Sequence, residues 1–297
     1  MDMIDAGDGT RRAMPGGGPF NTARALARLG VPTAFLGRLS QDVFGHELKD
    51  LLVSDGVNLE LASTGPESTT IAVVQLDGEG LAEYKFLVEG TSAPNLTEGM
   101  LPREFADDVN AIHVGTLGLV LEPIASTLVD LVARERGRRL VMIDPNVRVG
   151  LVDDADYRER LLFVASQSTI VKASKDDLAW LCPGLDYKQA ADRLLSDGAK
   201  LVVVTLGAQG AYGAHGGHRI SVSAPPVDIV DTIGAGDAFG AALLAWLHDH
   251  DAIRPDLRLD GEQLKAALDY ACLAASLTCA RAGADPPWKS QMMVRNP

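Results

Sequence analysis

Residues 231–240 read Asp-Thr-Ile-Gly-Ala-Gly-Asp-Ala-Phe-Gly and run straight into an apolar stretch at 241–247. The pattern is a glycine turn feeding a helix start, with the carboxylate of Asp237 in the first helical turn. The first N–H groups of a helix have no intrahelical partner, and the helix dipole adds partial positive charge there. Gly234 and Gly236 let the backbone approach a ligand closely, so the turn suits an anion such as phosphate. An acid beside a phosphate cradle repels its ligand unless it takes up a proton during the reaction. The implied chemistry is phosphoryl transfer to a hydroxyl. Asp237 is the base, and the N–H groups of Gly234, Ala235 and Gly236 face the charge that develops.

The rest of the chain reads as a scaffold for that turn. Helical spacing at 20–29, 43–54, 123–136, 157–166, 176–181 and 189–195 alternates with short apolar runs at 33–37, 111–114, 140–143, 169–171 and 201–205. Such runs are expected of parallel strands covered on both faces. Residues 235–280 are mostly helical, broken by the polar, proline-containing stretch 248–261. This order predicts a doubly wound α/β sheet with ligands at the carboxyl ends of its strands. One region departs from it. The runs 69–76 and 82–88 flank Asp77-Gly78-Glu79-Gly80, which reads as a hairpin turn and leaves no room for a crossover helix. They are expected to form an antiparallel appendage.

Composition narrows the function. The 297 residues carry a net charge of −13, which argues against nonspecific nucleic-acid binding. An acidic protein with an anionic ligand needs local positive potential from helix N-termini, metal ions or a few placed basic residues. Cys182, Cys272 and Cys279 show no metal-ligand spacing and no even disulfide framework; Cys272 and Cys279 read as small core residues of one helix. No basic start followed by an apolar run marks a signal peptide, and no stretch of about 18 apolar residues marks a membrane span. A cytoplasmic location is expected.

The string Asp231-Thr-x-Gly-Ala-Gly-Asp-Ala-Phe resembles the C-terminal signature of the ribokinase-like (PfkB) carbohydrate kinases. Further matches follow in the right order over nearly the whole chain. Gly16-Gly17-Gly18-Pro19-Phe20-Asn21 is similar to the family's first signature, which implies sugar-hydroxyl contacts for Gly17, Gly18 and Asn21. The segment 37–45, containing Asp42, reads as scaffold, with Asp42 capping the next helix. Asp144-Pro-Asn-x-Arg148 is similar to fructokinase-like members and implies a place for Arg148 near the sugar or the transferring phosphate. Asp144 and Asn146 would then act through the metal and its water shell or by orienting neighbours, unless Asp144 is only a turn cap.

In the strand-end segment Lys172-Ala-Ser174-Lys-Asp-Asp177, Lys172 and Ser174 are implied to serve the nucleotide and Asp177 the Mg²⁺ environment. A Ser-capped helix explains the same letters. Thr205-x-Gly207-x-x-Gly210 resembles the family's nucleotide loop. Asp231 and Gly283 match the positions between which many members hold a monovalent cation such as K⁺. The resemblance implies a single ribokinase-like three-layer domain over 1–297, with a doubly wound, mostly parallel sheet and a small β lid formed by segments near 4–14 and 66–91. The lid closes over the sugar and in some members forms a homodimer contact. The implied substrates are a small sugar and ATP with Mg²⁺, with no nucleic-acid or membrane partner.

Two departures stand out. Met1-Asp2-Met3-Ile4-Asp5 resembles only the tail of the family's first core strand, with Asp2 at the sugar-binding aspartate, so that strand is expected to be truncated. The lid segment Phe86-Leu-Val-Glu-Gly90 lacks the arginine that fructokinase-like and ketodeoxygluconate kinase-like members often carry there; a sugar acid would lose that cationic partner, so an uncharged hexose or pentose fits better than ketodeoxygluconate. Fructokinase is the leading reading. Ribokinase, ketodeoxygluconate kinase and nucleoside kinase stay open, as does a catalytically inactive nucleotide- or sugar-binding protein. A Rossmann dehydrogenase is disfavoured, because no Gly-x-Gly-x-x-Gly follows an early strand.

Overall fold

Strands rich in β-branched and aliphatic residues stack side by side in the centre of the molecule, buried on both faces. In the computed structural model, which describes residues 1–5, 11–76 and 82–293, the chain begins with β1 (Asp2–Asp5), β2 (Arg11–Met14), α1 (Gly18–Arg28), β3 (Gly37–Ser40), α2 (Val43–Ser54) and β4 (Ala62–Gly65). There follow β5 (Ile71–Leu76), β6 (Ala82–Leu87), β7 (Ala111–Gly115), α3 (Ile124–Glu135), β8 (Leu140–Asp144), α4 (Asp154–Gln167) and β9 (Ile170–Ser174). The remainder comprises α5 (Lys175–Leu181), α6 (Tyr187–Asp197), β10 (Leu201–Thr205), β11 (Ala211–His215), β12 (His218–Val222), α7 (Ala235–Asp249) and α8 (Gly261–Cys279).

The central sheet has the order β12-β11-β10-β9-β8-β7. Its strands β7 to β10 are parallel, and β11 and β12 add an antiparallel edge. Alternation along each strand sends Leu140, Met142, Leu201 and Val203 to the face covered by α1, α7 and α8. Val141, Ile143, Val202 and Val204 face α3 to α6. Each such aliphatic side chain contributes about 1.5–3 kcal/mol on burial. The result is a three-layer α/β sandwich. Helix α7 is buried almost all round from Asp237 to Leu247, as its apolar sequence demands, and Cys272 is buried on α8.

A second sheet, ordered β2-β1-β5-β6, forms the appendage. Its β5–β6 pair is antiparallel, from Ile71↔Leu87 to Leu76↔Ala82; the turn at 77–80 lies outside the described residues. The appendage is not wholly antiparallel. β1 runs parallel to β5, since the two strands belong to separate excursions of the chain. Residues Asp2–Asp5 therefore belong to this sheet and not to the core sheet.

Two further expectations change. The strand placed at 33–37 lies at Gly37–Ser40, paired with β4. Phe35 and Leu36 are apolar because they pack into the cores, and Ala34 makes only an isolated bridge to Asn58. The β11–β12 hairpin went unpredicted, although Gly216-Gly217 between His215 and His218 is a two-residue hairpin turn.

One cavity of about 1290 Å³ opens at the carboxyl ends of β7, β8 and β9, where the doubly wound plan puts ligands. It exceeds the roughly 300–1,000 Å³ of ordinary ligand pockets. The reason is that it continues beyond the strand ends, between β7 and the segment 31–40, as far as His248 and Arg254 at the far end of α7. No described residue forms a ladder with that outer edge of β7.

Candidate active site

The glycine turn folds as its sequence requires. Gly234 precedes α7 in the left-handed region, at φ +76°, and a Cβ there would stand 2.6 Å from Cβ of Ala284. Only glycine meets both demands. The N–H groups of Gly234, Gly236 and Asp237 have no backbone acceptor among the described residues, whereas that of Ala235 reaches back to the Thr232 carbonyl at 3.3 Å. Ala235 lies outside the cavity lining and Gly234 and Gly236 within it, so the two glycines present the open donors. Gly234→Ala is expected to lower Tm and to cut turnover by about 10²-fold, the scale of an ångström-sized misplacement. Circular dichroism melts and a coupled ADP assay check this.

Asp237 is buried, 8 % exposed, and its Oδ2 accepts a 2.8 Å hydrogen bond from Nδ2 of Asn21. Asn21 lies one turn inside α1, whose start is fixed by Gly17 at φ +123° and Pro19 in the first turn. Its Oδ1 is buried with no partner among the described residues. Burial pushes the Asp237 carboxyl up to about 7; the Asn21 hydrogen bond works against this, the Asp144 charge adds to it, and Lys172 and Arg148 pull it back. A base near pH 7 combines a useful ionised fraction with a strong pull on a hydroxyl proton. On β7, burial and the Lys172 charge push His113 down to about 3.

Behind Asp237 lies a second buried pair. Lys172 Nζ donates to Oδ2 of Asp144 at 2.5 Å, and the side chains are 5 % and 6 % exposed. Burial opposes the ammonium charge, but the Asp144 carboxylate more than offsets it and holds Lys172 above its ordinary pKa. Asp144 is thus an ion-pair partner and not a turn cap. Arg148 lines the same cavity and donates from Nη1 to the Asn146 and Val147 carbonyls, at 3.1 and 3.0 Å. Asp2 packs its carboxylate against Gly16; burial raises its pKa and Arg148 works against that.

Several further sequence-predicted residues also meet here. Asp2, Gly17, Gly18, Ser174, Asp177 and Thr205 all line the cavity. Ser174 and Asp177 form a capping box at the start of α5, and Asp177 Oδ1 accepts from the Val147 N–H at 2.8 Å. Asp42 caps α2 through a 2.8 Å bond from the Gly45 N–H. Gly207 and Gly210 fall outside the cavity lining. Asp231 and Gly283 do meet, but through a hydrogen bond from the Gly283 N–H to Oδ2 at 2.8 Å, while Oδ1 accepts from the Ile233 N–H at 3.0 Å. Among the described residues no group of three or more His, Cys, Asp or Glu side chains could hold a metal ion.

The sequence reading missed Thr116, directly after β7, which is buried, lines the cavity and has φ +55°. A β-branched residue in that region costs on the order of 1–3 kcal/mol. Its signal was its place after the apolar run 111–114, at the carboxyl end of a parallel strand. Also missed was Asp55, which clasps Arg24 and Arg28 of α1 at 2.6 and 2.9 Å.

The family pattern of the pfkB carbohydrate kinases matches residues 8–291. A fructokinase from Rhizobium leguminosarum bv. trifolii is 38% identical over 95% of this chain and 82% of its own length. Fructokinase-2 from Zea mays is 34% identical over 92% and 81%. Among solved structures, the fructokinase of Vibrio cholerae O395 superposes with a TM-score of 0.84 at 28% identity, covering 95% of this chain and 91% of that one. A fructokinase from Xylella fastidiosa shares the fold at TM-score 0.90 and 24% identity, over 98% and 94%. A buried carboxylate beside a glycine turn thus sits on the fold of a sugar kinase, a phosphotransferase. The chain belongs to the pfkB family of carbohydrate kinases. Within that family it is fructokinase-like.

Proposed function

We propose that this kinase transfers the γ-phosphoryl group of ATP to a primary hydroxyl of fructose. One observation carries the reading: a buried carboxylate with pKa about 7 sits in the first turn of α7, beside the open N–H groups of Gly234 and Gly236. Asp237 takes the proton of the acceptor hydroxyl, and Asn21 holds the carboxylate in place. The two glycine N–H groups stabilise the charge that develops on the transferring group. Asp2, Gly17, Gly18, Asn21 and Arg148 bind the sugar. Lys172 offers its charge to the phosphates, and Ser174, Thr205, Gly207 and Gly210 border the nucleotide. The chain works as one domain over 1–297. Segments near 4–14 and 66–91 close over the sugar and exclude water, which would otherwise compete as acceptor; residues 6–10 and 77–81 of these lie outside the described part.

Mg²⁺ usually keeps waters and takes only one or two protein carboxylates plus substrate phosphates. Asp144 and Asp177 at the cavity, with no larger acidic cluster among the described residues, fit that habit. Bound there, Mg²⁺ would neutralise phosphate charge. The Vibrio cholerae fructokinase has been crystallised with fructose, ADP and calcium, and a double mutant of it with fructose, ADP and potassium. K⁺ activation through the loop joining Asp231 and Gly283 is part of the reading. So is a homodimer through the lid, where β6 is an edge strand with Leu87 exposed. No helix among the described residues is long and apolar enough to cross a membrane, and the free cysteines fit a reducing cytoplasm.

The test is ADP release over fructose, ribose, ketodeoxygluconate, tagatose and adenosine, with ATP, Mg²⁺ and either K⁺ or Na⁺. Fructose is expected to give the highest kcat/KM. Turnover confined to another acceptor overturns the substrate assignment. Thermal shifts with ATP and sugar but no turnover would make the protein a binder.

A further inference from the structure

Gly18 opens α1, and a Cβ built on it would stand 2.4 Å from Oγ1 of Thr116 and 3.2 Å from Oδ1 of Asp237. The Thr116 hydroxyl and the Asp237 carboxylate therefore converge on one spot of backbone, from two different strand and helix ends. Thr116 is 8 % exposed, yet no described residue donates to its hydroxyl or accepts from it. Its oxygen is not sealed off from the cavity that Thr116 lines, so a ligand hydroxyl can reach it. Its backbone is strained as well, at φ +55°, and turn hydrogen bonds from Val120 and Leu121 back to the Leu117 carbonyl fix the segment that follows it. Strain that persists on a β-branched residue beside reacting groups is stored for a purpose that surrounding packing enforces. The neighbouring Asn21 Oδ1 is a buried polar atom with no partner among the described residues, on the side chain that holds Asp237.

We propose that Thr116 is a specificity-determining residue of the acceptor site. Its hydroxyl hydrogen-bonds a secondary hydroxyl of the sugar close to the primary hydroxyl that Asp237 deprotonates. The hydrogen bond fixes which face of the sugar meets the base. This rests on the sugar-kinase reading above. A site built to pair a substrate hydroxyl discriminates strongly against analogues that lack it, because its own buried group is then left unpaired.

The test compares wild type, Thr116→Val and Thr116→Ser with fructose and with monodeoxy fructoses that each lack one secondary hydroxyl. Valine keeps the branched shape and the backbone strain and removes only the hydroxyl. Thr116→Val is expected to raise KM for fructose about tenfold, the value of one hydrogen bond, with kcat, KM for ATP and Tm held. Thr116→Ser should retain wild-type KM within about threefold. One deoxy sugar should be as poor for wild type as fructose is for the valine variant, with no further loss when the two changes are combined. An active wild type with an unchanged valine variant overturns the proposal alone. So does a valine variant that loses the same factor on every deoxy sugar together with a fall in Tm, as a purely structural role requires. A wild type with no fructose-dependent ADP release overturns the fructose reading, and the proposal with it.

Discussion

Asp237→Asn is expected to abolish most of the turnover and, above neutral pH, to make the protein more stable. Loss of a general base costs roughly 10²–10⁴-fold in rate. The stability gain follows from the raised carboxyl. The ordinary aspartate value is 3.8, and in the folded protein it is about 7. Between these values the folded state keeps a proton that the unfolded chain has released. The favourable contribution of Asp237 is thus full below pH 4 and is lost as pH rises through 7. Asparagine carries no charge at any pH, so it spares the fold a penalty on the order of 4 kcal/mol at pH 8 and almost none at pH 4. Melting curves should show Tm of the variant above wild type by several degrees at pH 8, with the gap closing toward pH 4. For wild type, kcat/KM should fall about tenfold per unit below pH 7. A variant that keeps most of its activity removes Asp237 as the base. A Tm difference independent of pH would show that burial does not hold its proton.

The second large effect is on stability and lies away from the reacting atoms. Asp55 at the end of α2 is 7 % exposed and receives Nε of both Arg24 and Arg28. Arg28 continues to Asp285 at 2.6 Å and to the Pro286 carbonyl at 2.8 Å, and Arg24 reaches the Ala284 carbonyl at 3.4 Å. Ala284 is the residue against which Gly234 packs. Asp55→Ala takes the carboxylate from the buried Arg24 and the partly buried Arg28, and breaking such a pair from one side costs about 3–5 kcal/mol. Tm is expected to fall on the order of 10 °C. The loop at 281–286 then loses its hold on the glycine turn, so KM for ATP should rise as well. A Tm change below about 2 °C would mean that the arginines find other partners at no cost.

How far the sequence carried differs from element to element. The apolar runs at 140–143 and 201–205 read as strands because both faces are buried. The helix over 43–54 was bounded correctly because Asp42 caps it by a strictly local bond. The run at 33–37 misled because Phe35 and Leu36 are partly buried by packing, while a single bridge from Ala34 to Asn58 is all the pairing the run makes outside β3. Tertiary pairing, not propensity, also put β1 beside β5 in the lid sheet.

The site shows the same division. Glycines and an acid at fixed spacing made the glycine turn and the start of α7 legible, because a turn and a helix start are made by neighbours in sequence. The Asn21–Asp237 bond spans 216 residues, the Lys172–Asp144 pair joins two strands, and Thr116 meets Gly18 across the cavity. The chain by itself determined the kind of chemistry, since local backbone geometry and residue type suffice for it. Only the folded structure decided the ionisation of Asp237, the partners of Asp144, Asp177 and Asp231, and the presence of Thr116. Burial and long-range contact set these, and neither is written in any single stretch of sequence.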